Sequence, residues 1–419
     1  MRTSFEIFSS AMRERLGALE ERPFRLLWTG QAASAAGDAL VPVALAFAVI
    51  GIRGSASDLG LVLAAFTIAR AGLIVVGGVW ADRLPRQLVM LAADLVRAAV
   101  QGTVAVLLIS GRAELWQLVV TGVLSGAASA FFMPASTGLV PDTVSPARLQ
   151  QANALMGLTR SAIGIGGPIV SGLIVAGFGP GWVFAVDSVS YIVSAAYLAR
   201  LRIPAGRPKE SRESFARELA GGWHELRSRT WVWTSIVYFS IWNLAIAPFF
   251  VLGPLVFARE LGGASSWGLN GTGAALGGVV GGAIALRLKP RRPLVCAYLL
   301  LSVSALQPAL LTFPAPVWML VAAAALAVNN LVIGNTLWLT VLQERIPRDA
   351  ISRVSAYDWM GSLVFMPVGF AIAGPAADAI GIDTTLWITA AVLLGSNLAI
   401  VLVPSVRRIE RLEPAVEPA

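Results

Sequence analysis

Seven charged side chains interrupt the apolar runs of this 419-residue chain: Asp38, Asp94, Asp187 and Asp358, against Arg70, Arg97 and Arg160. A charge in hydrocarbon is costly unless it is paired, solvated or neutralised, so residues of this kind mark ion and proton pathways. Counting about 1.5 Å per residue from the inner ends of their apolar runs puts Asp38 at roughly 18 Å depth and Arg70 at roughly 15 Å, near the bilayer middle. A carboxylate there can take a proton from one side and lose it to the other as access changes. Two readings follow: proton exchange at Asp38, with Arg70 tuning its proton affinity, or a permanent ion pair that orients the first two runs. Asp94, Arg97, Arg160 and Asp358 fall nearer the inner face, where they are expected to form an intramembrane charge network. Asp187 falls close enough to the outer face to reach water.

Holding these residues requires twelve apolar helices, predicted over 26–50, 59–80, 88–109, 115–137, 152–177, 182–199, 231–257, 266–286, 293–312, 317–341, 354–377 and 384–403. Each approaches or exceeds the roughly 20 residues that cross about 30 Å of hydrocarbon. Lipid cannot satisfy an open sheet edge, so the spans must be helical. Composition agrees: 56% of residues are hydrophobic and 13% charged, with a mean hydropathy of +0.73, whereas soluble domains carry about 25% charged residues. The cations are sorted by side. All but six of the 32 Lys and Arg fall on the face that holds both ends; Arg53, Arg112 and Arg259 lie on the other face, and three sit inside spans. That skew predicts cytoplasmic termini, because short basic loops are poorly translocated.

The net charge of +8 is scattered over short segments, so it reads as topology and lipid contact and not as a nucleic-acid surface. Cys296 stands alone, which excludes an intramolecular disulfide and a thiolate metal cage, and the single His224 offers no metal site. No cofactor is expected. No Gly-x-x-x-x-Gly-Lys-Ser/Thr loop is present for ATP, and no Ser-His or Cys-His arrangement supports an enzyme.

The long polar stretch divides the chain: 1–200 as an N-terminal six-helix bundle, 201–230 as a cytoplasmic linker, 231–404 as a second bundle and 405–419 as a tail. Within the linker Phe215, Leu219, Trp223 and Leu226 recur at helical spacing, as in an amphipathic helix lying on the membrane surface. The halves look like copies. Gly77-Gly78-Val79-Trp80-Ala81-Asp82-Arg83-Leu84 aligns with Gly281–Leu288 at an offset of 204, and Ala154, Gly167, Gly172 and Gly179 align with Ala356, Gly369, Gly374 and Gly381 at an offset of 202. Duplicated six-helix halves are what a rocking secondary transporter uses to expose one central site to either side.

Gly78-Val79-Trp80-Ala81-Asp82-Arg83-Leu84-Pro85-Arg86 resembles the Gly-x-x-x-Asp-Arg-x-x-Arg loop of the major facilitator superfamily, in the position after span 2 where that family carries it. Gly37-Asp38, Asp94-Leu95-Val96-Arg97, Phe131-Phe132-Met133-Pro134-Ala135 and Gln151-Ala152-Asn153-Ala154 are similar to its macrolide-efflux and siderophore-exporter branch. The resemblance implies the major facilitator fold, with two pseudo-symmetric six-helix bundles. It also implies a conformational latch of Gly78, Asp82, Arg83 and Arg86, with Asp82 meeting the start of span 11 and Arg353. Gly167-Pro168-Ile169-Val170-Ser171-Gly172 resembles the antiporter motif of span 5, where Gly167, Pro168 and Gly172 form a hinge or, equally, a small-residue packing face. In this family spans 1, 4, 7 and 10 line the cavity, which nominates Gln31, Ser34, Ser129, Phe132, Trp242, Asn243, Asn329, Asn330 and Asn335. Their amide and aromatic groups suit an amphipathic organic molecule.

The function expected is proton-coupled efflux of a drug-like, macrolide-like or siderophore-like molecule by a monomer in the bacterial inner membrane, with protons and membrane lipid as partners. The alternatives are a metabolite facilitator or importer and a non-transporting sensor or scaffold.

Overall fold

The computed structural model describes residues 17–53, 55–202, 226–347 and 351–411. The chain divides into two compact units, Met1–Gly54 with Ala65–Pro208, and Ser55–Ala64 with Lys209–Ala419. The described residues form helices and connecting turns. Among the described residues, eleven helices or helix pairs are long and apolar enough to cross a membrane. The predicted eighth span is the 23-residue helix Gly263–Ala285, whose many glycines lower its hydropathy.

The first unit contains α1 (Arg22–Asp38), α2 (Val41–Arg53), most of α3 (Ala56–Arg83), α4 (Arg86–Ile109), α5 (Leu115–Thr143), α6 (Leu149–Phe178) and α7 (Pro180–Arg200). α1 and α2 together make one apolar run, Arg22–Ile52, that breaks at Ala39 and Leu40. Pro42 explains the break: lacking an N–H, it cannot bond the Asp38 carbonyl one turn earlier. A capping box starts α5, with the Glu114 amide bonded to Gln117 Oε1 at 2.8 Å.

The helices of this unit are inside-out relative to a soluble protein. On α7, Asp187, Ser188, Tyr191 and Ser194 are buried while Val186, Val189 and Ile192 are exposed; on α4, Asp94, Arg97 and Gln101 are buried while Leu95 and Val96 are exposed. A bundle that turns valines outward and carboxylates inward has lipid as its solvent. Association then depends on packing and on buried polar contacts. At Gly126, for instance, an added Cβ would collide with the Phe66 carbonyl of α3.

The second unit contains α8 (Thr230–Glu260), α9 (Gly263–Ala285), α10 (Pro293–Leu301), α11 (Leu306–Leu310), α12 (Val317–Arg345), α13 (Ile351–Leu363), α14 (Met366–Ile380), α15 (Ile382–Leu402) and the short α16 (Pro404–Arg407). Its core stacks Trp231, Tyr238, Phe239, Tyr298 and Trp338, with edge-to-face pairs such as Tyr238 on Tyr298 at 4.7 Å. The buried hydroxyls are satisfied: Tyr238 donates to Asn397 Oδ1 at 2.6 Å and Tyr298 to Ser235 Oγ at 2.7 Å. Residues 55–64, expected in the 1–200 bundle, cluster in this unit, where Ser57 Oγ donates to Asp378 Oδ2 at 3.4 Å.

Several of the aligned glycines do the same work in each unit. Gly179 and Gly381, 202 residues apart, both join two helices with positive φ, 89° and 88°. Gly167 abuts Ala39 and Gly369 abuts Ala247; Gly77 faces the Ala130 carbonyl and Gly281 the Asn329 carbonyl. The amphipathic stretch proposed around Phe215, Leu219 and Trp223, with His224, lies outside the described residues.

Candidate functional site

A cavity of about 360 Å³ opens within the first unit among α1, α3, α4, α5 and α6, lined by Gln31, Ser34, Asp38, Arg70, Arg97, Ser129, Phe132 and Arg160 among others. Every candidate nominated from spans 1 and 4 is therefore on its wall. The charged centre is Arg97. Its Nη2 bonds Asp94 Oδ1 at 2.5 Å, its Nη1 lies 3.9 Å from Asp38 Oδ2, and its plane is held between the rings of Phe132 and Tyr191 at 4.1 and 4.4 Å. Ser194 Oγ donates to Asp94 Oδ2 at 2.6 Å, and the Tyr191 hydroxyl donates to Asp38 Oδ1.

The two carboxylates are unequal. Asp94 is fully buried and bonded through both oxygens, whereas the Asp38 side chain is half exposed to the cavity and its contact to Arg97 is long. Asp94 is a structural counter-ion; Asp38 is the carboxylate with access.

The expected Asp38–Arg70 pair is thus corrected: the cation at Asp38 is Arg97, and Arg70 points its Nη2 at Met133 Sδ, 3.0 Å away. Similar depth was not sufficient, because α3 presents Arg70 to Met133 of α5. The charge network is corrected too. Asp94 and Arg97 interact, Arg160 lines the same cavity, but Asp358 belongs to the second unit, where Trp338 Nε1 at 3.0 Å and Ser362 Oγ at 3.5 Å hold it. Asp187 is buried and does not face water: Gln101 Nε2 donates to it at 2.7 Å, and Gly37 leaves the space its carboxylate occupies.

Of the latch, the side chains of Gly78, Asp82, Arg83 and Arg353 lie outside the described ones. Arg86 bonds the Gly138 carbonyl at 2.7 Å and Asp142 at 3.1 Å, tying α4 to α5. In the antiporter-like segment α6 runs through Pro168 without a break and Gly172 is buried. Ser171 departs from the motif, yet it makes the segment's best-defined contact. Its Oγ donates at 2.6 Å to the carbonyl of Leu40, at the break that follows Asp38.

In the second unit the nominated residues bond within that unit. Trp242 Nε1 donates to Ser304 Oγ at 3.2 Å, Asn243 to its own helix at Phe239, and Asn329 to Asn330 at 2.9 Å, while Asn335 is exposed. Sequence reasoning missed Tyr191, Ser194, Gln101 and Ser136. The first two lie with Asp187 on one stripe of α7, a helical periodicity that is visible in the residues themselves.

Among the described residues, eleven membrane-length helices and a cavity walled by charged and aromatic side chains define a polytopic membrane protein. The Major Facilitator Superfamily profile matches residues 27–366; the chain is a member of that superfamily. It is 20% identical to Macrolide efflux protein A of Streptococcus pyogenes over 92% of this chain and 97% of that one. It is 26% identical to Multidrug efflux pump Tap of Mycobacterium tuberculosis (strain ATCC 25618 / H37Rv), over 90% and 92%. The crystal structure of the nucleoside transporter NupG matches the fold with a TM-score of 0.71 at 14% identity, over 92% of this chain and 98% of that one.

Proposed function

We propose that this chain exports an amphipathic small molecule in exchange for protons, by alternating access, and that Asp38 is the group that binds the proton. The observation that carries the reading is the position of Asp38: half exposed on a cavity wall, bonded by Tyr191, and within 3.9 Å of an Arg97 that Asp94 already holds. A proton added to Asp38 leaves Arg97 with a full partner, so protonation changes the cavity without stranding a buried charge. The relatives named for macrolide and multidrug efflux favour export of drug-like molecules over uptake.

In this reading the protein is a monomer in a bacterial inner membrane, with both ends cytoplasmic. The latch of Gly78, Asp82, Arg83, Arg86 and Arg353 biases the exchange of states. Ser171 and Gly167 fix the α1–α2 break beside Asp38, so that a change at the carboxylate is felt at the break. The test is proton release from acidified everted vesicles on adding amphipathic compounds, macrolides included. Coupled export raises the lumenal pH; no response across chemically varied compounds overturns the reading.

A further inference from the structure

The wall of the first-unit cavity carries more donors than it can use. Arg97 faces two carboxylates, Asp38 and Asp94. Arg70 and Arg160 face none: the contact of Arg70 is a thioether sulfur, a weak acceptor, and Arg160 has no hydrogen-bond or ion-pair partner among the described residues. Gln31 lines the same cavity, is 8% exposed, accepts from Ser136 through Oε1 at 3.2 Å, and leaves its buried Nε2 without an acceptor. Arg97 Nε is likewise buried and unpartnered. The two buried donors, Gln31 Nε2 and Arg97 Nε, are costly to leave unfilled, and with the exposed Arg160 and part-exposed Arg70 on the same wall they point to an acceptor-rich group that fills them. Asp38 supplies the opposite need, since its half-exposed carboxylate has room for a donor.

We infer that the cavity binds a zwitterionic amphiphile, with its anionic group on Arg70 and Arg160, its cationic group at Asp38, and its apolar body on Phe66, Phe132, Met133 and Met156. The inference rests on the reading of this cavity as the substrate site of an exchanger, and it explains exchange. An ammonium seated on Asp38 excludes a proton from the same oxygens, so substrate and proton compete. A purely anionic substrate bound to the arginines would instead favour the protonated carboxylate and travel with the proton.

The test is fluorescence binding to the full chain in lipid nanodiscs with three matched probes: Nε-dansyl-lysine, a zwitterion with an apolar body; its methyl ester, which keeps only the cation; and its Nα-acetyl derivative, which keeps only the anion. The zwitterion is expected to bind roughly tenfold more tightly than either relative. Arg70→Gln and Arg160→Gln each remove its advantage over the ester while ester binding stays, which also shows that the variants are folded. Arg160→Lys retains the advantage, and Asp38→Asn removes the advantage over the acetylated probe. Equal binding of the three probes, no binding of the zwitterion, or an unchanged zwitterion-to-ester ratio in both arginine variants overturns the inference. Nanodiscs hold no gradient, so this outcome is independent of exchange. A discriminating cavity with no proton flux in vesicles would sink the transport reading alone.

Discussion

Arg97 Nη2 meets Asp94 Oδ1 at 2.5 Å, one helical turn back on the same helix, and so the cation that Asp38 shares already has a buried partner. Removing Asp94 strands a guanidinium that is only 4% exposed. Breaking a buried pair in this way costs about 3–5 kcal/mol. Asp94→Ala is expected to lower the thermal unfolding temperature in detergent and the yield of folded protein, whereas Asp38→Asn, at a half-exposed site, leaves both near wild type. Equal stability of the two variants would contradict the division of roles.

Tyr191 contributes a hydroxyl to Asp38 and a ring to Arg97. Tyr191→Phe keeps the ring and loses the bond, so the protein should fold and transport should fall by roughly tenfold, the equivalent of about 1.4 kcal/mol. Tyr191→Ala removes both, and its loss of stability should be the larger. Transport rates and unfolding curves of the two variants make the comparison.

The Ser171 hydroxyl satisfies the Leu40 carbonyl at the break in the first span. Without it that carbonyl keeps only the long bond from the Ala44 amide at 3.5 Å, and losing the stronger of the two bonds costs about 0.5–1.5 kcal/mol. Ser171→Ala should destabilise by that amount in denaturant titrations, and Ser171→Thr, which keeps the hydroxyl, should not if the buried site admits the extra methyl. A silent Ser171→Ala would remove the support for a fixed break beside Asp38.

Glycines in the α9–α12 seam give an internal control. A Cβ at Gly277 would fall inside the contact distance of the Ala325 backbone, but at Gly278 the nearest atom, Val328 Cγ1, is 3.4 Å away. Gly277→Ala is expected to cost about 1–3 kcal/mol through forced backbone separation, and Gly278→Ala to be tolerated. Folded yield by size-exclusion chromatography distinguishes them.

Much of this was legible in the residues, and the part that was not has a physical cause. Helix-length apolar runs follow from the bilayer itself, which admits few solutions, and the chain's helices and family membership agree with them. The wall of the first cavity was legible through the family resemblance, which made spans 1 and 4 cavity-lining and so nominated Gln31, Ser34, Ser129 and Phe132. Partner choice was not. Depth counting sets Arg70 near Asp38's level and Arg97 nearer the inner face, but an arginine side chain is long enough to reach across such a difference, so the way the helices are turned decides which cation meets Asp38. The packing of α3 on α5, set by close approaches such as Gly126 to Phe66 that no single sequence announces, leaves Arg70 against Met133. Asp94, Arg97 and Gln101 on α4, and Asp187, Tyr191 and Ser194 on α7, do form polar stripes at helical spacing, and facing stripes of that kind were the available sign that spans 3 and 6 share the site.

Proton exchange at Asp38 is tested most directly by the proton flux of one variant. Everted vesicles holding equal amounts of wild type and Asp38→Asn are acidified, and lumenal pH is followed as amphipathic compounds that the wild type recognises are added. The wild type is expected to release protons and the variant to release none, although it is inserted and folded. Equal proton release from both would show that the exchanged proton does not bind at Asp38.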